Sequence, residues 1–203
     1  MNPTQTRNPV LLIHGIFDTA GIFRLMSAYL RGRGWDIHSF NLRPNYGLAG
    51  LDRLAGQISH YVDKTFPPEQ PFDLIGFSMG GIVSRYYVQR LGGLDRVQRL
   101  ITISAPHYGT WLAYFYPTLG AFQMRPYCPF LCDLNRDIET LDQINFTSIW
   151  TPFDAMILPA SSSRVPVGDE ILLDVLLHAW MVRDSRCIKA VEKALMAPVT
   201  INN

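Results

Sequence analysis

Short continuous apolar runs alternate along the chain with segments whose apolar residues recur at helical spacing. Runs of this kind predict parallel strands covered on both faces, because such strands lose the alternation of half-exposed ones. Strands are predicted at residues 10–13, 35–42, 72–77, 97–104, 146–150 and 171–177. Helices are predicted at residues 21–30, 51–62, 80–91 and 185–195. This order predicts an α/β fold with a mostly parallel sheet of about six strands, right-handed crossovers and helices on both faces.

The pattern breaks between residues 111 and 145, which are aromatic and interrupted by prolines. The segment holds more large apolar side chains than an ordinary exposed loop would carry. They either pack as a cap over a site, form a surface that contacts a lipid or membrane interface transiently, or belong to the core alone. The cap is the favoured interpretation. Residues 1–203 are expected to form a single domain that carries this insertion.

A serine stands between the third predicted strand and the helix that follows it, in the pattern Gly76-Phe77-Ser78-Met79-Gly80. In a strand, G-x-S-x-G, helix arrangement the serine hydroxyl is pushed out of the sheet. Glycines are needed on either side, because a Cβ there would clash where strand and helix nearly touch. Ser78 is therefore the candidate nucleophile, and a glycine-rich turn without chemistry is the alternative.

A serine hydroxyl needs a base within hydrogen-bond reach to act as a nucleophile. His178 directly follows the last predicted strand, at the carboxyl edge of the sheet where ligands bind in such folds. His107 is expected at the same edge, but no strand and acid separate it from Ser78, so we expect it to shape its loop. Asp154 follows the fifth predicted strand and is the favoured acid, which would orient His178. Asp169 is the second choice.

Two backbone amides are expected to bind the oxyanion that forms during ester cleavage. One belongs to Met79, the residue after the candidate nucleophile. The other belongs to the turn after the first strand, where Gly15 lets the chain turn sharply, and it is the amide of Ile16 or of Phe17. The side chains expected to contact the substrate are those of Phe17, Trp111, Phe115 and Met124.

Composition and charge argue against several other classes of protein. The net charge is +1 and no block is rich in Lys and Arg, so no nucleic-acid partner is expected. No stretch approaches the roughly 18 apolar residues of a membrane span, and the first residues lack the apolar core of an export signal, so a cytoplasmic location is expected. Cys128 and Cys132 form a C-x3-C pair without a second pair to complete a zinc site. Free thiols, no metal and no cofactor are therefore expected.

Taken together, these motifs resemble those of lipases and esterases with the α/β-hydrolase fold, in particular the minimal bacterial triacylglycerol lipases. The resemblance rests on N-P-V-L-L-I-H-G-I, G-F-S-M-G-G, T-S-I-W-T-P-F-D-A-M-I and L-H-A-W, in that order. It implies a six-stranded sheet, no cofactor, and roles for Ser78 as nucleophile, Asp154 as acid, His178 as base, and Ile16 and Met79 as amide donors. The smallest such lipases have almost no lid and are usually secreted. The segment 111–145 and the lack of an export signal therefore depart from their pattern.

The prediction is a serine hydrolase that cleaves carboxylic esters, such as acylglycerols or other lipid esters, through an acyl-enzyme. An acyltransferase or thioesterase on the same triad is the nearest alternative. A non-catalytic protein that keeps a lipid pocket is the alternative from a different class. Acyl-chain length, head group, interfacial activation and oligomeric state stay open at this point.

Overall fold

A computed structural model describes residues 7–199. The strands are β1 (Val10–Ile13), β2 (Ile37–Ser39), β3 (Phe72–Phe77), β4 (Val97–Ile103), β5 (Asn145–Trp150) and β6 (Asp169–Leu172). The α-helices are α1 (Arg24–Gly32), α2 (Leu51–Thr65), α3 (Met79–Arg90), α4 (Leu119–Phe122), α5 (Pro129–Arg136) and α6 (Ser185–Met196). Short 3₁₀ helices occupy Ala20–Phe23, Gly93–Asp95, Trp111–Phe115, Ile138–Gln143, Ala160–Ser163 and His178–Trp180. The first residues, used above to argue against an export signal, lie mostly outside the described range.

The six strands are all parallel and follow the spatial order β2-β1-β3-β4-β5-β6. The predicted parallel sheet is therefore confirmed. Successive strands are added on opposite sides of β1, which makes the edge above β1 and β3 a topological switch point. In open α/β sheets ligands bind in the crevice at such a point, outside the carboxyl ends of the strands. The loop after Ile13 and the turn after Phe77 both lie there.

Helices cover both faces of the sheet, as the sequence predicts. One buried cluster joins the sheet to α2, α3 and the segment before β5, and the other joins it to α1 and α6. The residues of β1 alternate between the two clusters, with Leu11 and Ile13 in the first and Val10 and Leu12 in the second. All four are fully buried. Burial on both faces explains why the strand is a continuous apolar run.

Two strands differ from their predicted bounds by more than one residue. β2 ends at Ser39 and not at Leu42, whose backbone N–H donates to a ring nitrogen of His14. β6 begins two residues before the predicted start and ends at Leu172. Val175 beyond it is buried although it lies outside the sheet, and its carbonyl oxygen accepts a hydrogen bond from Thr151 at 2.7 Å. The predicted strand therefore extended too far, because the apolar run continues beyond the sheet although Val175 is its one buried residue there and Leu176 and Leu177 are exposed.

The segment 111–145 divides into two halves. The second half packs into the core, where Leu134 and Leu141 are fully buried. Arg85 of α3 holds this half in place, because its guanidinium donates to the carbonyl oxygen of Leu134 at 3.0 Å and to Oδ1 of Asn135 at 3.0 Å. The first half exposes several aromatic side chains, among them Phe115. That this first half acts as a cap stays a prediction.

The three cysteines are free. Cys128 precedes α5, and its sulfur accepts the backbone N–H of Leu131 at 3.5 Å, so the thiol caps the helix. Cys132 is exposed and Cys187 is buried. Among the described helices, none has the length and apolar character needed to cross a membrane.

Candidate active site

Ser78 lies in the turn between β3 and α3 with φ 53° and ψ −126°, a backbone conformation that few residues other than glycine adopt. A Cβ on Gly76 would lie 2.6 Å from the carbonyl oxygen of Gly80 and from Cα of Gly81. A Cβ on Gly80 would collide with the carbonyl oxygen of Ile13. These neighbours are backbone atoms of β1 and α3, which cannot move aside singly. Both positions therefore require glycine, for the steric reason given by the sequence pattern.

Asp154 and His178 meet at the carboxyl edge of the sheet. Asp154 follows β5, and His178 begins the short 3₁₀ helix after β6. The Nδ1–H of His178 donates to Oδ2 of Asp154 at 2.7 Å. The imidazole also packs against the ring of Phe77, with 4.8 Å between ring centroids. Phe77 is the residue before Ser78, so the imidazole of His178 lies next to the end of the strand that leads into the candidate nucleophile.

The environment of Asp154 keeps its carboxylate ionised. Burial alone would raise the pKa of Asp154, but the hydrogen bond and charge of His178 and the amides of Ile157 and Met156 outweigh burial and hold the pKa below its usual value. Those amides donate to Oδ1 at 3.0 Å and 2.9 Å. An ionised carboxylate at Nδ1 fixes the imidazole tautomer and leaves Nε2 able to accept a proton. Asp169, the second choice for the acid, is exposed at the start of β6.

Hydrogen bonding distinguishes between the two amides proposed for the loop after β1. Phe17, with φ 62°, donates its backbone N–H to the carbonyl oxygen of Asn45 at 2.8 Å. Within residues 7–199, the amides of Ile16 and Met79 have no acceptor. Met79 is the first residue of α3, where helical N–H groups lack an intrahelical partner. Ile16 is therefore the amide of this loop that is free to bind a substrate oxygen.

Residues 9–153 match the model of the family described as palmitoyl protein thioesterase. The chain belongs to the palmitoyl protein thioesterase family. The match includes the loop after β1 and the Ser78 turn, and it ends one residue before Asp154.

Solved structures of other proteins share the fold of this family member. Lipase BlEst2 of Bacillus licheniformis in its mature form is 13% identical, with a TM-score of 0.78 over 97% of this chain and 95% of that one. Lipase B of Aspergillus fumigatus is 18% identical, with a TM-score of 0.80 over 97% of this chain and 56% of that one. An extracellular α/β-hydrolase from a Paenibacillus species is 18% identical, with a TM-score of 0.65 over 92% and 98% of the two chains. The α/β-hydrolase fold predicted from the sequence is confirmed.

In this family member His14 anchors the loop after β1. The ring is fully buried, and its Nε2 accepts the backbone N–H of Leu42 at 2.9 Å. Nδ1 therefore carries the proton and donates to the carbonyl oxygen of Gly15 at 2.8 Å. Burial lowers the pKa of His14, so the ring stays neutral. His14 thus ties the loop that bears Ile16 to the segment that follows β2.

His107 lies in the loop that follows β4. Its buried ring accepts a hydrogen bond from Arg85 at Nδ1, at 3.2 Å, and Nε2 lies 3.1 Å from Oγ1 of Thr102. Burial and the neighbouring guanidinium hold the pKa of His107 well below its usual value. Burial also lowers the pKa of Arg85 to about 9. The carbonyl oxygen of His107 accepts a hydrogen bond from Asn135 at 2.9 Å, so this histidine joins its loop to α5.

A small cavity of about 90 Å³ opens onto Ser78. Its lining is mostly apolar and comprises Ile16, Phe17, Ser78, Pro106, Thr110, Leu112, Ala113, Tyr116, Ala121, Met124, Met156 and Ile157. Phe17 and Met124, both predicted to contact substrate, belong to this lining. Trp111 lines a separate cavity of about 370 Å³, and Phe115 is 80% exposed. For Trp111 and Phe115 substrate contact stays a prediction.

Sequence patterns did not mark three residues that shape the site. Thr110 joins two loops, because its Oγ1 donates to the carbonyl oxygen of Met156 at 2.9 Å and accepts the amide of Leu158 at 2.9 Å. Met156 could have been found from its position two residues after the predicted acid. Asp18 lies beside Gly15, and nothing in its local sequence indicates that its carboxylate turns inward over the site.

Proposed function

We propose that this chain hydrolyses carboxylic esters with an apolar acyl group through an acyl-enzyme on Ser78. One observation carries the proposal: the 2.7 Å hydrogen bond between His178 and Asp154 stands beside a serine in a strained strand-to-helix turn. A serine becomes nucleophilic when an oriented imidazole can take its proton. The free amides of Ile16 and Met79 supply the second requirement, two donors for a developing oxyanion.

The reaction follows from these groups in two stages. Oγ of Ser78 attacks the ester carbonyl carbon, Nε2 of His178 takes the hydroxyl proton, and the oxyanion accepts hydrogen bonds from the two amides. Collapse of this intermediate breaks the bond to the leaving alcohol, which takes the proton from His178. Water then attacks the acyl-enzyme in the same way and releases the carboxylic acid. Asp154 orients the imidazole and stabilises its charged form throughout.

The volume of the cavity at Ser78 limits the length of the acyl chain that it can hold. Ligand pockets generally measure about 300–1,000 Å³, so a cavity of about 90 Å³ accommodates a short acyl chain as it stands. Phe17 and Tyr116 lie on its lining with their ring centroids 6.0 Å apart, and both are partly exposed. Rings at this separation are in contact, so they would have to move apart before a longer acyl chain could lie over the exposed aromatic side chains of the segment 111–122. We therefore propose short-chain esters, including short acylglycerols, as the first substrates.

A thioester is the second candidate substrate, because the matching family is described as a thioesterase. The same triad cleaves thioesters and oxygen esters by the same two stages. The ratio of kcat/KM for S-ethyl thiobutyrate to that for ethyl butyrate separates the two candidates. A ratio well above that of the uncatalysed reactions would favour thioester hydrolysis.

Replacing the nucleophile tests the proposal. Ser78→Ala should reduce hydrolysis of p-nitrophenyl butyrate to background, while the thermal unfolding midpoint stays within a few degrees of the wild type. Ser59→Ala on α2, which removes a hydroxyl away from the site, is the matched control and should keep full activity. Retained activity in Ser78→Ala would rule out this mechanism.

A further inference from the structure

A second carboxylate lies beside the candidate nucleophile. A Cβ built on Gly15 would lie 3.0 Å from Oδ2 of Asp18 and 3.0 Å from Cβ of Ser78. Because both atoms lie 3.0 Å from this one point, Oδ2 of Asp18 and Cβ of Ser78 are at most about twice that distance apart. The same point is 3.4 Å from Cδ1 of Phe77, the ring against which His178 packs. Asp18 and His178 thus share one aromatic neighbour next to Ser78.

The backbone of Asp18 is fixed while its carboxylate is not. Its carbonyl oxygen accepts the side-chain amide of Asn45 at 2.5 Å, and its N–H donates to the carbonyl oxygen of Gly15 at 3.4 Å. Across residues 7–199, no hydrogen bond reaches the carboxylate oxygens of Asp18. A half-buried carboxylate without a partner is unfavourable unless a ligand supplies one.

The charged groups that face this carboxylate come from three elements. Burial raises the pKa of Asp18, whereas His14, His178 and Arg183 act in the opposite direction through their charge. Arg183 is exposed and makes no salt bridge to Asp18 among the described residues. These interactions leave the hydrogen-bonding capacity of the carboxylate unused.

The position of Asp18 identifies which part of a substrate it would meet. His178 gives its proton to the departing oxygen, so the leaving alcohol passes close to the imidazole. The lining of the acyl cavity comprises Ser78 and residues of the segments 16–17, 106–124 and 156–157, and neither Asp18 nor His178 belongs to it. Asp18 therefore lies on the leaving-group side of Ser78.

We propose that Asp18 accepts a hydrogen bond from a free hydroxyl of the leaving alcohol, and so selects esters of polyhydroxy alcohols over those of simple or anionic alcohols. The inference rests on the proposed ester hydrolysis and deepens it by assigning a class of leaving group. A charged acceptor strengthens a hydrogen bond to a hydroxyl. The same charge repels an anionic group placed there. Glycerol-like alcohols meet both conditions.

Three butyrate esters with the same three-carbon alcohol skeleton provide the test: propyl butyrate, 2,3-dihydroxypropyl butyrate and 3-butyryloxypropane-1-sulfonate. The selectivity is the ratio of kcat/KM for the dihydroxypropyl ester to that for the propyl ester. Asp18→Ala should lower this ratio about tenfold, the usual effect of a lost charge-assisted hydrogen bond. Asp18→Asn keeps an acceptor oxygen without the charge, so its ratio should lie between those of Asp18→Ala and the wild type.

The sulfonate ester gives an effect of opposite sign, which a loss of structure would not produce. Both variants should hydrolyse it faster relative to propyl butyrate than the wild type does, because the repulsion is gone. Asp36→Asn, an exposed carboxylate at the start of β2, makes the same chemical change at the other edge of the sheet and should leave all ratios unchanged.

Unchanged ratios in both Asp18 variants, or a parallel fall for all three esters, would overturn the role of Asp18. That result would leave the proposed function standing, provided that p-nitrophenyl butyrate is still cleaved and Ser78→Ala abolishes the cleavage. If Asp18→Ala does not fold, the isosteric Asp18→Asn still decides between the outcomes through the sulfonate ester.

Discussion

Asn45 accepts the backbone N–H of Phe17 at 2.8 Å, and its side-chain amide donates to the carbonyl oxygen of Asp18 at 2.5 Å. The loop after β1 is therefore held on both sides of the Phe17–Asp18 peptide by one residue from the loop after β2. This arrangement occupies the Phe17 amide and leaves the Ile16 amide available. The proposed oxyanion site thus depends on a contact between residues far apart in the chain.

The contact predicts the effect of Asn45→Ala. Loss of the side-chain bond to Asp18 should loosen the loop and lower kcat for p-nitrophenyl butyrate about tenfold, because misplaced groups lose much of their catalytic effect. The change in KM should be smaller, since the acyl cavity is not lined by Asn45. Asn41→Ala, which removes a bond to the amide of Ala20 outside this loop, is the control. Equal kcat values for Asn45→Ala and Asn41→Ala would contradict the assignment.

A glycine-to-alanine substitution should destabilise the fold at one position of this chain and stabilise it at another. Gly80→Ala should destabilise the fold by at least about 3 kcal/mol, because its Cβ meets backbone of β1. Gly56→Ala, in the middle of α2 with no atom within 4 Å of the added Cβ, should instead stabilise it by about 0.5–1 kcal/mol. Urea unfolding of both variants measures the difference. Equal stability of Gly80→Ala and the wild type would show that β1 does not exclude a side chain at this position.

The sequence predicted the parallel sheet and the Ser78 turn well, because both leave local signals. Strands buried on both faces are continuous apolar runs, and the close approach of β1 to Gly80 excludes any side chain at that position. The meeting of Asp154 and His178 was predictable for a related reason. Both follow strands of one parallel sheet, and the carboxyl ends of those strands share an edge.

What the sequence did not predict depends on contacts between distant residues. Nothing near Arg85 in the chain indicates that its buried guanidinium binds Leu134 and Asn135 and so fixes the second half of the 111–145 segment. The inward orientation of Asp18 likewise requires Gly15 to lie against Ser78, which only the folded chain brings about. The end of β6 was misplaced because Val175 joins the buried cluster of the sheet although it lies beyond the last residue of the strand.

Charge on Asp154 is predicted to matter more than its shape. Asp154→Asn should lower kcat about 10⁴-fold, because an amide no longer fixes the tautomer or stabilises the imidazolium of His178. Asp169→Asn makes the same chemical change at an exposed position at the start of β6 and is the control. Asp169→Asn should keep kcat within about twofold of the wild type. Similar values of kcat in the two variants would contradict the assignment of Asp154 as the acid of the triad.

Because buried histidines stay neutral in the folded chain, we expect the free energy of unfolding to depend on pH. The folded-state pKa of His107 lies well below 6.5, its value in an unfolded chain, so the unfolded state binds more protons between those two values. The stabilisation is complete above about pH 7 and declines as the pH falls below about 6.5. For each such histidine, the free energy of unfolding falls by up to about 1.4 kcal/mol for every pH unit in that range.

His107→Gln removes one titrating group while keeping polar atoms near Arg85 and Thr102. Between pH 6 and pH 5, the unfolding free energy of the variant should therefore fall less steeply than that of the wild type. The difference between the two slopes should be up to about 1.4 kcal/mol per pH unit. Urea unfolding at pH 7, 6 and 5 measures both slopes. Parallel slopes would show that His107 is not kept neutral by burial.

The most direct test of the central claim is covalent labelling with a fluorophosphonate, which reacts only with an activated serine. Intact-mass measurement followed by peptide mapping should find one adduct, on Ser78, that forms rapidly in the wild type and in Asp169→Asn. Labelling should slow greatly in Asp154→Asn and vanish in Ser78→Ala. A wild-type chain that stays unlabelled, or that is labelled at a serine other than Ser78, would contradict the account.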